Sequence, residues 1–217
     1  LIGTWDDVPV VVSDGRVHLY QAHNHPIMLR RWMAPLLAFM GTGRLLVITQ
    51  GVGGIGSNIA VGKIAIPTRL IAGHLPAPYL SPTNEFVTPE DELPAHEGPL
   101  VQKITGVARE VGLDCLGNVR TIMVEGPHFG GRGDREDYAE RHIQTVGMSL
   151  VGELDLLAVE NKERAEEQRI RAIPLQLVGN NNDSPTFDEV EEAGKDAAVK
   201  LVALLSAIVT DRTLTKL

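Results

Sequence analysis

Residues 44–54 read RLLVITQGVGG, a short apolar run that ends in Gln50 and then in three glycines among four residues. A continuous apolar run of this length is typical of a strand that is buried on both faces. Glycine at the end of such a strand frees backbone amides, which either form a simple turn or hold an anion without a charged side chain. This stretch therefore predicts a buried sheet with a turn or a ligand site at the strand end.

Comparable strands and helical patterns alternate along the rest of the chain. Predicted strands cover 8–12, 16–20, 62–72, 120–125 and 172–178, and predicted helices cover 26–41, 99–112, 133–144 and 187–209. Asp14-Gly15 predicts the turn between the first two strands. Residues 145–153 predict a strand or turn that enters another helix, and residues 158–171 predict a solvated helical extension. The alternation indicates an α/β fold, in which ligands bind at the carboxyl ends of strands.

The composition narrows the classes of partner. The 217 residues carry a formal net charge of −8, which argues against nucleic acid as the main partner. We expect one domain over residues 1–217, no membrane segment and no secretory signal. Cys115 is the single cysteine, which fits a cytoplasmic protein. His23, His25 and His74 lack metal-ligand spacing, so we expect no metal site.

Polar or glycine-rich residues follow several of the predicted strands. Arg16 and His18 are two residues apart, so on a strand they would share one face and could bind an anion together. A solvated strand edge is the equally simple alternative. Gly126-Pro127, Gly147-Met148-Ser149 and Asn180-Asn181 follow later strands.

These segments, in this order, resemble the trimeric class of purine nucleoside phosphorylases and the related methylthioadenosine phosphorylases. The motifs that carry the resemblance are GRVHLY (15–20), VITQGVGGI (47–55), VGKIAIP (61–67), EGPHF (125–129), VGMS (146–149) and DEVEEAGKDAAVKL (188–201). The resemblance implies a central mixed, mostly parallel sheet flanked by helices. It also implies a homotrimer whose site lies near a subunit boundary, and phosphorolysis of a purine nucleoside to free base and (deoxy)ribose 1-phosphate.

The resemblance also assigns roles to individual residues. Phosphate is the co-substrate, and no other cofactor is expected. The implied phosphate ligands are Arg16, His18, the Gly51 amide and Ser149, and the implied nucleoside contacts are Tyr20, Phe129, Gly130, Met148, Asn180 and Phe187. Of these, His18 and Asn180 would act in catalysis, because phosphate must be held beneath the sugar while the leaving base gains negative charge.

The sequence departs from the family pattern in several places. The family's first strand and its glycine-rich phosphate loop have no counterpart, so we expect a fold truncated at its amino end. Gly130 stands where the family has a purine-binding glutamate, and Gln50 stands where it has asparagine. Phe187 replaces a histidine near the sugar 5′ position, which would suit a 5′-deoxy or methylthio group. An active phosphorylase, an inactive or weakly active homologue that binds nucleosides or assembles, and a nucleoside hydrolase all remain open.

Overall fold

The computed structural model describes residues 1–23, 26–41, 44–72, 75, 88–128, 130–181 and 187–215. The strands are β1 (Ile2–Trp5), β2 (Val8–Val11), β3 (Leu45–Gly54), β4 (Ile64–Ile71), β5 (Cys115–Met123), β6 (Thr145–Gly147) and β7 (Arg171–Asn180). The helices are α1 (Pro26–Met40), α2 (Pro99–Glu110), α3 (Arg132–Glu140), α4 (Val151–Lys162), α5 (Phe187–Thr210) and the short α6 (Arg212–Thr215). In these ranges no helix combines the length and the apolar character needed to cross a bilayer.

Five strands close into a barrel in the order β3-β6-β5-β4-β7. The pairs β3–β7, β4–β5 and β5–β6 are parallel, whereas β3–β6 and β4–β7 are antiparallel. The predicted mixed, mostly parallel sheet with helices is confirmed. Its edges are not open, however, because register shifts in β3 at Val52/Gly53 and in β4 around Pro67 bend these strands until the sheet closes.

Helices pack on two sides of the barrel and form two apolar clusters. On one side α1 and α4 bury Leu37 and Leu154 against Ile48 of β3. On the other side α2 and α5 bury Ile104 and Leu204 together with strand residues of β4 and β7. The barrel is thus covered by helices on both sides, which explains why its strands read as continuous apolar runs.

Two predictions from the sequence are wrong. The amino-terminal hairpin pairs β1 with β2 through Asp6 and Asp7, whose φ values are 47° and 65°, rather than pairing 8–12 with 16–20. Residues 16–20 lack a partner strand, and their backbone turns instead, with Ala22 N–H donating to His18 O at 3.0 Å.

The charged segment 158–171 is also not a solvated helix. Helix α4 ends at Lys162, and its residues Ala158, Val159 and Asn161 are buried. Asn161 explains the difference, because its amide holds both backbone groups of Ile170: Nδ2 donates to Ile170 O at 2.7 Å, and Oδ1 accepts from Ile170 N at 2.9 Å. The chain therefore folds back into β7 instead of extending the helix.

Candidate active site

A small cavity of about 30 Å³ lies between residues 16–19, the end of β5 and the turn from β6 into α4. Arg16 and His18 line it from one side, and Met148 and Ser149 line it from the other. Arg16 and His18 precede β3, whereas Met148 and Ser149 follow β6, so only the folded chain brings the two pairs together. Four of the residues that the sequence assigns to phosphate or sugar therefore surround one space.

The guanidinium of Arg16 is oriented by a buried carboxylate. Arg16 Nε donates to Glu153 Oε1 at 2.7 Å, and the two side chains are 17% and 8% exposed. Glu153 lies in the first turn of α4 and also lines the cavity. Because Nε is used by Glu153, the terminal nitrogens of Arg16 remain as donors for a ligand. Sequence reasoning assigned no role to Glu153, since an acidic residue at a helix start is common.

The imidazole of His18 is fixed by Gln21. Gln21 Oε1 accepts from the His18 backbone N–H at 2.9 Å and lies 3.0 Å from the ring atom Nδ1. An amide oxygen can only accept, so His18 Nδ1 must carry a hydrogen. In the neutral ring Nε2 is therefore an acceptor, and it becomes a donor only when the ring is protonated. The ring also stacks on Tyr20, with centroids 5.3 Å apart and planes inclined by 21°.

Tyr20 and Met148 meet above Gly126, in the turn that follows β5. A Cβ on Gly126 would lie 2.7 Å from Met148 Sδ and 2.9 Å from Tyr20 Cδ1, and φ at this residue is +77°. The lack of space for a Cβ and the positive φ both require glycine at position 126. The Gly126-Pro127 turn therefore lets the Tyr20 ring and the Met148 thioether approach each other beside the cavity.

Asn180 lies at the end of β7 and is not among the residues that line the cavity. It is buried, and its amide packs on the backbone of Gly53, where a Cβ would lie 3.4 Å from Asn180 Oδ1. No hydrogen bond to its side chain occurs within the part of the chain that the structure describes. The Asn180 amide is thus available for a ligand.

The next residue, Asn181, is fully engaged. Its Nδ2 donates to Gly56 O at 3.0 Å and to Ile59 O at 2.6 Å, and its Oδ1 accepts from Arg135 Nη2 at 3.2 Å. Arg135 Nη2 also donates to Gly54 O at 2.7 Å. These bonds connect α3, the end of β3 and the end of β7, and so hold the backbone that carries Asn180.

Two further predicted residues that the structure describes, Gly51 and Gly130, do not line the cavity. Gly51 is exposed on β3, so its predicted amide contact to phosphate is not part of the described cavity. Gly130 precedes α3, and its N–H donates to His128 Nδ1 at 3.1 Å. Phe129 lies outside the described residues. Phe187 begins α5, but its side chain is also outside the described part of the chain.

Asp155 also lies on α4, and its pKa is raised. Asp155 is 6% exposed, and burial raises its pKa from 3.8 to about 7. Glu153, two residues earlier, is equally buried but is paired with Arg16. Among the described side chains, no group of three or more histidine, cysteine or acidic residues is arranged to hold a metal ion.

Comparison with known proteins gives a consistent result. The sequence pattern of the Phosphorylase superfamily matches residues 2–210. The purine nucleoside phosphorylase of Bos taurus is 25% identical over 215 residues, covering 91% of this chain and 69% of that protein. The Mus musculus enzyme is 26% identical over 216 residues, with the same two coverages.

Solved structures share the fold. A Schistosoma purine nucleoside phosphorylase in complex with guanosine superposes with a TM-score of 0.75 at 19% identity, covering 97% of this chain and 77% of that chain. The Schistosoma mansoni enzyme in complex with inosine gives a TM-score of 0.76 at 20% identity, with coverages of 97% and 75%.

Proposed function

The chain belongs to the phosphorylase superfamily, and from this premise we propose that it phosphorolyses a purine nucleoside to the free base and (deoxy)ribose 1-phosphate. The matched relatives are purine nucleoside phosphorylases, and structural neighbours were solved with guanosine, inosine and adenosine. The observation that carries the proposal is the meeting of Arg16, His18 and Ser149 around one cavity next to Met148.

The three polar residues suit an inorganic phosphate. The terminal nitrogens of Arg16 can bind two phosphate oxygens, and Glu153 fixes the direction in which they point. The Ser149 hydroxyl can donate to a third oxygen. Neutral His18 accepts from a protonated phosphate oxygen through Nε2, whereas the protonated ring donates to an unprotonated one.

The reaction needs charge stabilisation at two places. As the bond between C1′ and the purine nitrogen breaks, positive charge grows on the sugar and its bonding electrons move to the base. Phosphate attacks C1′ and forms the new C–O bond, and the proton it carries ends on the base. The Asn180 amide is the candidate donor to the leaving base, and it is unengaged in the described structure.

The remaining sequence assignments belong to the same proposal. Tyr20 and Met148 contact the ribose, Phe129 stacks on the purine, and the Gly51 amide supports phosphate. Gly130 leaves one purine edge without a carboxylate, and Phe187 favours a 5′ substituent without a hydroxyl. We extend the proposal to a cytoplasmic homotrimer that needs no cofactor besides phosphate.

The second candidate is an inactive or weakly active homologue that binds nucleosides or serves in assembly. The Arg16–Glu153 ion pair favours it, because a buried carboxylate 2.7 Å from the guanidinium offsets the charge that would attract phosphate. Phosphate can bind here only if its attraction to the remaining hydrogen-bond donors outweighs its repulsion by the Glu153 carboxylate.

The test measures base release from inosine and adenosine with and without phosphate, and identifies the sugar product. Ribose 1-phosphate formed only with phosphate supports phosphorolysis. Free ribose formed without phosphate indicates a hydrolase. Absence of turnover together with nucleoside binding, measured by calorimetry, supports the second candidate. Ser149→Ala is the variant to compare with the wild-type protein in this test, because it removes one phosphate donor and leaves the buried Arg16–Glu153 pair intact.

A further inference from the structure

Gln50 carries a buried amide that the protein leaves without a partner. The residue is 7% exposed, and neither Nε2 nor Oε1 has a hydrogen-bond partner in the described part of the chain. A buried polar group without a hydrogen-bond partner destabilises the folded state. Native structures contain few such groups, and each of them needs an explanation.

The neighbouring strand offers a direct contrast. Gln50 of β3 is the register partner of Gln176 on β7, and both are buried. Gln176 Oε1 accepts from Thr145 Oγ1 at 2.7 Å, and Gln176 Nε2 donates to Thr121 Oγ1 at 3.0 Å. The same side chain at the same level of the barrel is therefore satisfied on one strand and unsatisfied on the next.

The Gln50 amide lies next to the candidate active site. A Cβ on Gly147 would lie 3.2 Å from Gln50 Oε1 and 3.1 Å from Met123 Cε. Met123 lines the cavity, and Gly147 is followed directly by Met148 and Ser149, which also line it. Glycine at 147 thus leaves space for the amide at the wall where Met148 would contact the sugar.

We infer that Gln50 binds a hydroxyl group of the substrate's sugar, a role that rests on the proposed function. Both amide atoms lack partners, so the ligand group must accept from Nε2 and donate to Oε1. A hydroxyl does both, whereas an unprotonated phosphate oxygen only accepts and would be repelled by Oε1. Gln50 therefore makes the site specific for a ribosyl substrate over an analogue that lacks this hydroxyl.

The inference predicts a measurable preference. An analogue without the hydroxyl leaves the buried amide unsatisfied, so it loses about tenfold or more in kcat/KM. Inosine, 2′-deoxyinosine and 3′-deoxyinosine separate the two candidate hydroxyls. The wild-type protein is expected to discriminate against one of the two deoxynucleosides.

The variant is Gln50→Leu, and Gln176→Leu is the matched control. Gln50→Leu removes an amide that has no protein partner, so the thermal unfolding midpoint is expected to rise by about 2–6 °C. Its kcat/KM for inosine should fall about tenfold, and its preference for inosine over the rejected analogue should disappear. Gln176→Leu breaks two buried hydrogen bonds, so its midpoint should fall.

Ligand-induced thermal shifts separate this inference from the proposed function. Wild-type protein should be stabilised more by ribose 1-phosphate than by 2-deoxyribose 1-phosphate or 3-deoxyribose 1-phosphate, and Gln50→Leu should lose that difference, even if no nucleoside is turned over. The inference is overturned if Gln50→Leu keeps the wild-type discrimination among these ligands, or if its midpoint falls as that of Gln176→Leu does.

Discussion

The two ends of the candidate site treat their polar groups differently. At the proposed phosphate end the protein itself engages part of the Arg16 and His18 side chains, since Glu153 holds Arg16 and Gln21 holds His18. At the proposed base end the Asn180 amide has no hydrogen-bond partner among the described residues, and its neighbour Asn181 makes the structural hydrogen bonds. A buried charge needs a partner in the protein even when no ligand is bound, because an unpaired buried charge costs much free energy. A neutral amide can remain without a partner until a ligand binds, because its cost is smaller.

The largest expected effect is at the phosphate end. Arg16→Gln should lower kcat/KM for phosphorolysis by about 10²–10³-fold, because a donor to the reacting anion is lost. It should also destabilise the fold, because Glu153 is left buried without a partner.

The double variant Arg16→Gln/Glu153→Gln separates the two effects. It should recover most of the stability lost in urea unfolding but none of the activity, because both buried charges are gone. Recovery of activity in the double variant would contradict the role given to Arg16.

The two buried acidic residues of α4 provide the next test, because Glu153 has a partner and Asp155 has a raised pKa. The folded state keeps Asp155 protonated up to about pH 7, whereas the unfolded chain ionises it near its ordinary pKa of 3.8. The folded state therefore binds more protons, and its stability should fall as the pH rises between these values.

Asp155→Asn removes this pH dependence. Relative to the wild type, the variant should gain roughly 2–4 kcal/mol of unfolding free energy between pH 4 and pH 8. Urea titrations at several pH values measure the gain. A constant difference between the two proteins across this range would show that burial does not hold Asp155 neutral.

At the base end, Asn180→Ala and Asn181→Ala should have opposite signatures. Asn180→Ala should lower kcat about tenfold or more with little change in stability, because its hydrogen bond forms with the leaving base. Asn181→Ala should cost about 1–3 kcal/mol of stability, because the carbonyls of Gly56 and Ile59 lose their donor. Steady-state kinetics and urea unfolding on both variants test the distinction.

The smallest expected effect is the discrimination between bases. Gly130 offers no carboxylate to the purine edge, so kcat/KM for inosine and for adenosine should differ by less than about tenfold. A strong preference for one of them would mean that another residue reads that edge. A Gly130→Glu variant would not repair the site simply, because φ at this residue is +79°.

Much of the fold was predictable because local patterns determine it. The helix at 187–209 and the buried strand at 172–178 appear nearly as predicted, because their apolar periodicity matches the faces that they bury. Segment 16–20 shows the limit: its alternating residues suit a strand, but no neighbouring strand pairs with it. Arg16 and His18 still line one cavity, because the irregular segment packs against the start of α4.

The sequence by itself determined the order of strands and helices from α1 onward, the glycine turn after β5 and membership of the phosphorylase superfamily, since each depends on residues close together in the chain or on motif order. Only the tertiary structure decided which polar groups have partners. Arg16 and Glu153 are 137 residues apart, and Gln176 has the hydroxyls of Thr121 and Thr145 as partners, whereas Gln50 has none among the described residues. Burial and pairing arise from contacts between distant segments, and for that reason local sequence patterns do not reveal them.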